Sequence, residues 1–162
     1  MNSLKLSTLI VTIITIALPS CKENDSLITT SSNTDITYKA AYVVNGGGNS
    51  LSVIDISTNE VKRTITLSNV NFPHHIALSP DKSKMVIGVP GMDLSNGHTG
   101  IMTGMAGKFI VLNTINGSIL KSQNLPLMNH NAIYSPDGSE IWVAQMDNAG
   151  KVLVYNSSSS AV

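Results

Sequence analysis

Four histidines and seven methionines are the residues of this 162-residue chain best suited to hold something. His74 and His75 are adjacent, His130 stands alone, and His98 lies in the stretch GMDLSNGHTGIMTGMAG, residues Gly91–Gly107, with Met92, Met102 and Met105 around it. Imidazole nitrogen is the commonest protein metal donor, and thioether sulfur favours soft Cu(I). His74, His98, His130, Met102 and Met105 are therefore the candidate metal set, with copper or a haem edge as the group held. A wider ligand-binding set adds His75 and Asp147. Without a metal, the same imidazoles would hydrogen-bond a neighbouring strand and the methionines would pack.

Other constellations are thin. There is no zinc-protease helix motif, no P-loop and no nucleophile elbow, and Gly46-Gly47-Gly48 lacks the following helix that phosphate binding needs. Asp93 and Asp147 are carboxylates without a defined separation, which does not support hydrolysis. The reading leans away from an enzyme, and no catalytic residue is assigned. Ten Lys and Arg balance ten Asp and Glu, so no basic surface is predicted for nucleic acid.

The elements that must position the histidines are strands. Only 12% of residues are charged, Ser, Thr, Asn, Gly and β-branched residues abound, and apolar positions run in period 2 or in short unbroken stretches. The pattern predicts ten strands and no helix: 40–45, 50–55, 61–67, 75–79, 85–89, 108–113, 118–124, 131–135, 140–145 and 151–155. Gly46–Gly48, Ser57–Asn59, Asp81–Ser83, Asn116-Gly117 and Asp137-Gly138 supply the turns between them.

The strands repeat. Ser52–Val61, Ile110–Ile119 and Leu153–Val162 align in register, and Ser79-Pro80-Asp81 recurs as Ser135-Pro136-Asp137. Asn113 and Asn156 are 43 residues apart, whereas Asp55 and Asn113 are 58 apart, the excess falling in the insertion 91–107. A repeat of about 40–45 residues with four strands is a β-propeller blade. In such a blade the loop leading into the inner strand and the loop between the second and third strands share one rim. All four histidines are thereby expected on one face near the channel mouth, with His74 and His130 equivalent and within about 10 Å, two strand spacings.

Tyr42-Val43-Val44-Asn45, Asn49–Asp55, Thr58-Asn59 and Pro73–Asp81 resemble, in order and spacing, the YVTN-type β-propeller repeats of surface-layer and exported bacterial proteins. The resemblance covers nearly all of residues 40–162, with Ile141–Gln145 replacing the tetrad in the second copy. It implies an all-β, partial β-propeller of four-stranded antiparallel blades in residues 38–162. About 2.5 blades are present, so the expectation is a truncated chain or one piece of an assembly, with open blade edges that invite self-association. Related propellers in respiratory nitrogen enzymes place metal or haem at channel-face histidines, so the resemblance allows that use.

Residues 1–21 read as a signal peptide. Lys5 precedes the apolar run Leu9–Leu18, which is too short to span a membrane, and Leu18-Pro19-Ser20-Cys21 resembles a bacterial lipobox. Cys21 is the only cysteine and the expected lipidation site. Residues 22–37 read as a flexible polar tether, and Cys21-Lys22-Glu23 resembles the surface-export signal of some Bacteroidetes lipoproteins. The expected protein is a cell-envelope lipoprotein of the outer membrane or cell surface, held to the membrane by lipid. Its expected role is a scaffold for a protein or small-molecule ligand on the channel face. The alternatives are a periplasmic metal- or haem-linked redox propeller and, third, a propeller-based hydrolase or lyase.

Overall fold

The structure is a computed structural model, which describes residues 35–95, 105–146 and 150–158. Cys21, His98, Met102 and Asp147 lie outside the described residues. The described chain forms ten strands: β1 (Ala40–Asn45), β2 (Ser50–Asp55), β3 (Glu60–Thr66), β4 (Ile76–Leu78), β5 (Lys84–Val89), β6 (Lys108–Asn113), β7 (Ile119–Asn124), β8 (Asn129–Tyr134), β9 (Glu140–Gln145) and β10 (Val152–Asn156). Among the described residues there is no helix. The ten strands match the expected ones to within two residues at each boundary. The largest difference is at the start of β8, two residues earlier than expected, and β4 is one residue shorter than expected at each end.

All pairing is antiparallel and between sequence neighbours, giving three sheets in the orders β1-β2-β3, β4-β5-β6-β7 and β8-β9-β10. The sheets stack face to face. Met85, Ile87, Val89, Ile110 and Leu112 of the middle sheet pack on Leu51, Val53 and Ile65 of the first. Its alternate residues Val86, Phe109 and Val111 pack on Ala132, Ile141, Val143 and Tyr155 of the third. The two central strands of the middle sheet, β5 and β6, are buried on both faces, which is why β5 reads as the continuous apolar run Met85-Val86-Ile87 instead of alternating. Each fully buried Leu, Ile, Val or Phe side chain contributes about 1.5–3 kcal/mol.

The repeated motifs are turn locks. Asp55, Asn113 and Asn156 each close a strand by accepting, through Oδ1, the backbone N–H two residues on, at 2.8, 2.8 and 2.9 Å. In the Ser-Pro-Asp turns, Asp81 Oδ1 accepts from the Ser79 hydroxyl at 2.6 Å and from the Ser83 N–H at 3.0 Å. Asp137 accepts from Ser135 and Ser139 in the same way, at 2.6 and 3.1 Å. Asn59, Lys82, Gly117 and Gly138 take the positive φ that reverses the chain in these turns. Even the irregularities repeat: register shifts at Val53/Ile54 and Val111/Leu112 occupy equivalent positions of β2 and β6.

Candidate metal centre

His74 and His75 precede β4, and His130 lies in β8 next to its start. Regular strand geometry would send His74 and His75 to opposite faces. Instead His74 N–H donates to the Gly88 carbonyl and Gly88 N–H donates to the His75 carbonyl, both at 2.9 Å. Two consecutive residues thus face one, the arrangement of a β-bulge, which re-aims side chains. In β8, Asn129 pairs with Gln145 and Asn131 with Ala144, leaving His130 as the extra residue of a second bulge. The two bulges stand at equivalent places in neighbouring sheets and turn all three imidazoles to one point.

The ring centroids are 4.4 Å apart for His74–His75, 4.6 Å for His74–His130 and 4.8 Å for His75–His130. One ligating nitrogen from each can be chosen so that all three lie within 4.8 Å of one another. His74 and His75 are exposed and His130 is half-buried.

The close approach of the two sheets depends on glycine. A Cβ on Gly88 would meet Asn129 Nδ2 at 3.2 Å and both the Asn131 Cα and the His130 carbonyl at 3.3 Å. On Gly107 it would meet Asn129 Oδ1 at 2.5 Å, Asn129 N at 3.0 Å and the Leu127 carbonyl at 3.1 Å. Asn129 is fully buried between these glycines, and neither atom of its amide has a protein partner.

Beside His74 lies a groove of about 350 Å³ lined by Val44, Gly46, Phe72, Met92 and Asp93 among others. Phe72 has a φ of 54°, which a bulky residue adopts only when its surroundings impose it. Its N–H donates to Asn49 Oδ1 at 2.9 Å, which fixes the turn into Pro73 and His74. Hydrogen bonding from the Ser95 backbone N–H, at 2.9 Å, holds the Asp93 carboxyl below its usual range.

Of the sequence-derived sites, His74 and His130 meet as expected, at less than half the expected limit. His75, absent from the candidate metal set, completes the trio. Met92 reaches the groove beside His74, and Met105 is exposed on the returning end of the insertion. Asn129 and Phe72 were not singled out by sequence. An Asn directly before a candidate histidine, and the Phe-Pro-His-His run, were the available signals.

Three imidazole nitrogens suit zinc, copper, nickel or iron. Metal–nitrogen bonds of about 2.0–2.1 Å at tetrahedral angles put donor atoms about 3.3 Å apart. The widest pair here, at 4.8 Å, must close by about 1.5 Å, which rotation of exposed imidazoles about their own side-chain bonds provides.

No family model matches the chain, and no curated protein matches it. Its fold is similar to that of solved structures. Dihydro-haem d1 dehydrogenase NirN, in complex with DHE, matches with a TM-score of 0.58 and 14% identity over 79% of this chain and 25% of that one. Hydrazine synthase of Kuenenia stuttgartiensis matches with a TM-score of 0.51 and 18% identity, over 73% of this chain and 39% of that one. The chain thus spans well under half the length of either. The fold is that of a β-propeller, in part, and each sheet is a blade.

Proposed function

We propose that this chain is a cell-envelope β-propeller of the YVTN type, anchored through a lipidated Cys21, which binds a transition-metal ion at its channel face through His74, His75 and His130. The observation that carries the proposal is the convergence of three imidazoles from two blades, with ligating atoms within 4.8 Å of one another. Two equivalent bulges are needed to produce it, and a packing role for the histidines needs neither. The groove with Met92 and Asp93 adjoins the site and leaves room for a small ligand beside the ion. In this reading the protein is a binding scaffold whose ligand is held by the ion.

A haem-type ligand is the second reading, motivated by the complex of NirN with DHE. It ranks lower because an axial bond uses one imidazole, whereas a bare ion uses all three. Titration of the chain and of a His74→Ala/His130→Ala variant with Zn(II), Cu(II) and Cu(I), followed by calorimetry, tests the proposal. Saturable binding by the wild type and its loss in the variant is the expected result. Equal, weak binding by both proteins would reduce the trio to blade packing.

A further inference from the structure

We infer that the cleft between the two Ser-Pro-Asp turns, on the rim opposite the histidines, is a second binding site and takes a small zwitterion of the α-amino acid class. The two turns follow the C-terminal ends of β4 and β8, whereas the histidines stand at the N-terminal ends of the same strands. The turns approach closely: a Cβ on Gly138 would meet Pro80 Cδ at 3.2 Å. Beside them lies a cleft of about 180 Å³ whose walls carry Asp81, Lys84, Tyr134 and Asp137. Ser157 stands in the same wall, its hydroxyl donating to the Gly138 carbonyl at 2.6 Å.

Tyr134 is the residue that points to a ligand. It is only 9% exposed, and its buried hydroxyl has no hydrogen-bond partner among the described residues. It lines the cleft, and the charge of Asp81 acts on its phenol. A hydroxyl both donates and accepts, and burying one unpaired is costly. A polar group held in the cleft meets that need.

Charge selects the class of ligand. Asp81 accepts from the Ser79 hydroxyl and from the N–H and hydroxyl of Ser83, and Asp137 accepts from Ser135 and Ser139 in the same three ways. Both carboxylates are therefore fixed in place before a ligand arrives. Three donors leave each carboxylate about one of its four lone-pair sites, too few to build the shell of about six to eight oxygens that a calcium ion takes. One remaining lone pair suits an N–H of an ammonium group instead. Lys84 in the same wall repels a bare cation and attracts a carboxylate. A molecule carrying both charges answers the acids, the lysine and the phenol together. At about 30 Å³ for each water-sized group the cleft admits roughly six non-hydrogen atoms, the size of alanine.

Calorimetry of the full chain with L-alanine as probe, and with ethylamine, propionate and calcium chloride in its place, tests the inference, which does not depend on the metal site. L-Alanine should bind saturably, and at least about tenfold more tightly than ethylamine or propionate, each of which lacks one of the two charges. Tyr134→Phe removes only the hydroxyl and should weaken alanine binding about tenfold, with far-UV circular dichroism unchanged. Lys84→Met should abolish the preference for alanine over ethylamine. Absence of saturable alanine binding would overturn the inference, as would ethylamine binding as tightly as alanine, calcium binding more tightly than either, or alanine binding indifferent to Tyr134→Phe.

Discussion

His74 and His130 are separated by 56 residues of sequence and by 4.6 Å between ring centroids. Each follows the last turn before an inner strand, each lies at a bulge, and the backbones that carry them approach because Gly88 has no side chain. Their equivalence follows from the repeat, and their contact follows from the bulges and the glycine.

If His75 completes the trio, His75→Ala should weaken metal binding about as much as His74→Ala, by at least about tenfold, or ~1.4 kcal/mol. Calorimetry on the two variants side by side measures the effect. Undiminished binding by His75→Ala would remove that residue from the site.

Gly107→Ala should destabilise the chain by about 1–3 kcal/mol, the cost of forcing atoms into a filled interior. The added methyl would meet the backbone of Asn129 and Leu127, and displacing Asn129 shifts the neighbouring His130. A fall in melting temperature together with weaker metal binding is expected. Unchanged melting would mean that β8 yields freely.

Asp81 and Asp137 are each held at a pKa of about 2, first by the hydroxyls of Ser79 and Ser135 and then by Ser83 and Ser139. Their folded values lie below the unfolded one, so their stabilisation is present above about pH 4 and is lost as pH falls toward about 2. The double Asp81→Asn/Asp137→Asn variant should therefore lose stability less steeply than wild type over that window. Acid titration followed by circular dichroism compares the slopes, and parallel curves would contradict the turn-lock account.

Tyr134 has its phenol pushed up to about 12, first by burial and then by the Asp81 charge, and its hydroxyl has no protein partner. A raised folded pKa leaves stability intact below about pH 10 and erodes it from there to about 12. Tyr134→Phe should change stability at neutral pH by less than about 1 kcal/mol and flatten the alkaline loss. Chemical denaturation at neutral and alkaline pH reads both quantities.

Lipidation of Cys21 predicts that Cys21→Ala moves the protein from the detergent phase to the aqueous phase on phase partitioning. Identical partitioning of the two proteins would rule out the anchor.

The strands and sheets were legible because their signals are local and repeated. Alternation placed β1 and β9, the unbroken apolar run placed β5, and three copies of one turn motif fixed the register of β2, β6 and β10. The rim shared by His74 and His130 followed from strand direction alone. His75 was expected at the same rim, but the meeting of its ring with those of His74 and His130 was hidden, because a bulge adds one residue without altering the hydrophobic pattern, and period 2 alone points adjacent side chains apart. The positive φ of Phe72 was equally hidden, since it is imposed by a hydrogen bond to Asn49, 23 residues earlier.

Every strand in the three sheets pairs with a strand adjacent in sequence, and this arrangement bears on the order in which structure can form. Apart from the one between β5 and β6, which spans the insertion, the hairpins close over short loops, so each sheet can assemble as soon as its own segment is free, with little loop-closure entropy to overcome. Only the stacking of sheets joins residues far apart in the chain. A polypeptide emerging end-first through a membrane pore could thus fold one sheet at a time, each new sheet finding the apolar face of its predecessor already built, without waiting for the C-terminal residues to arrive.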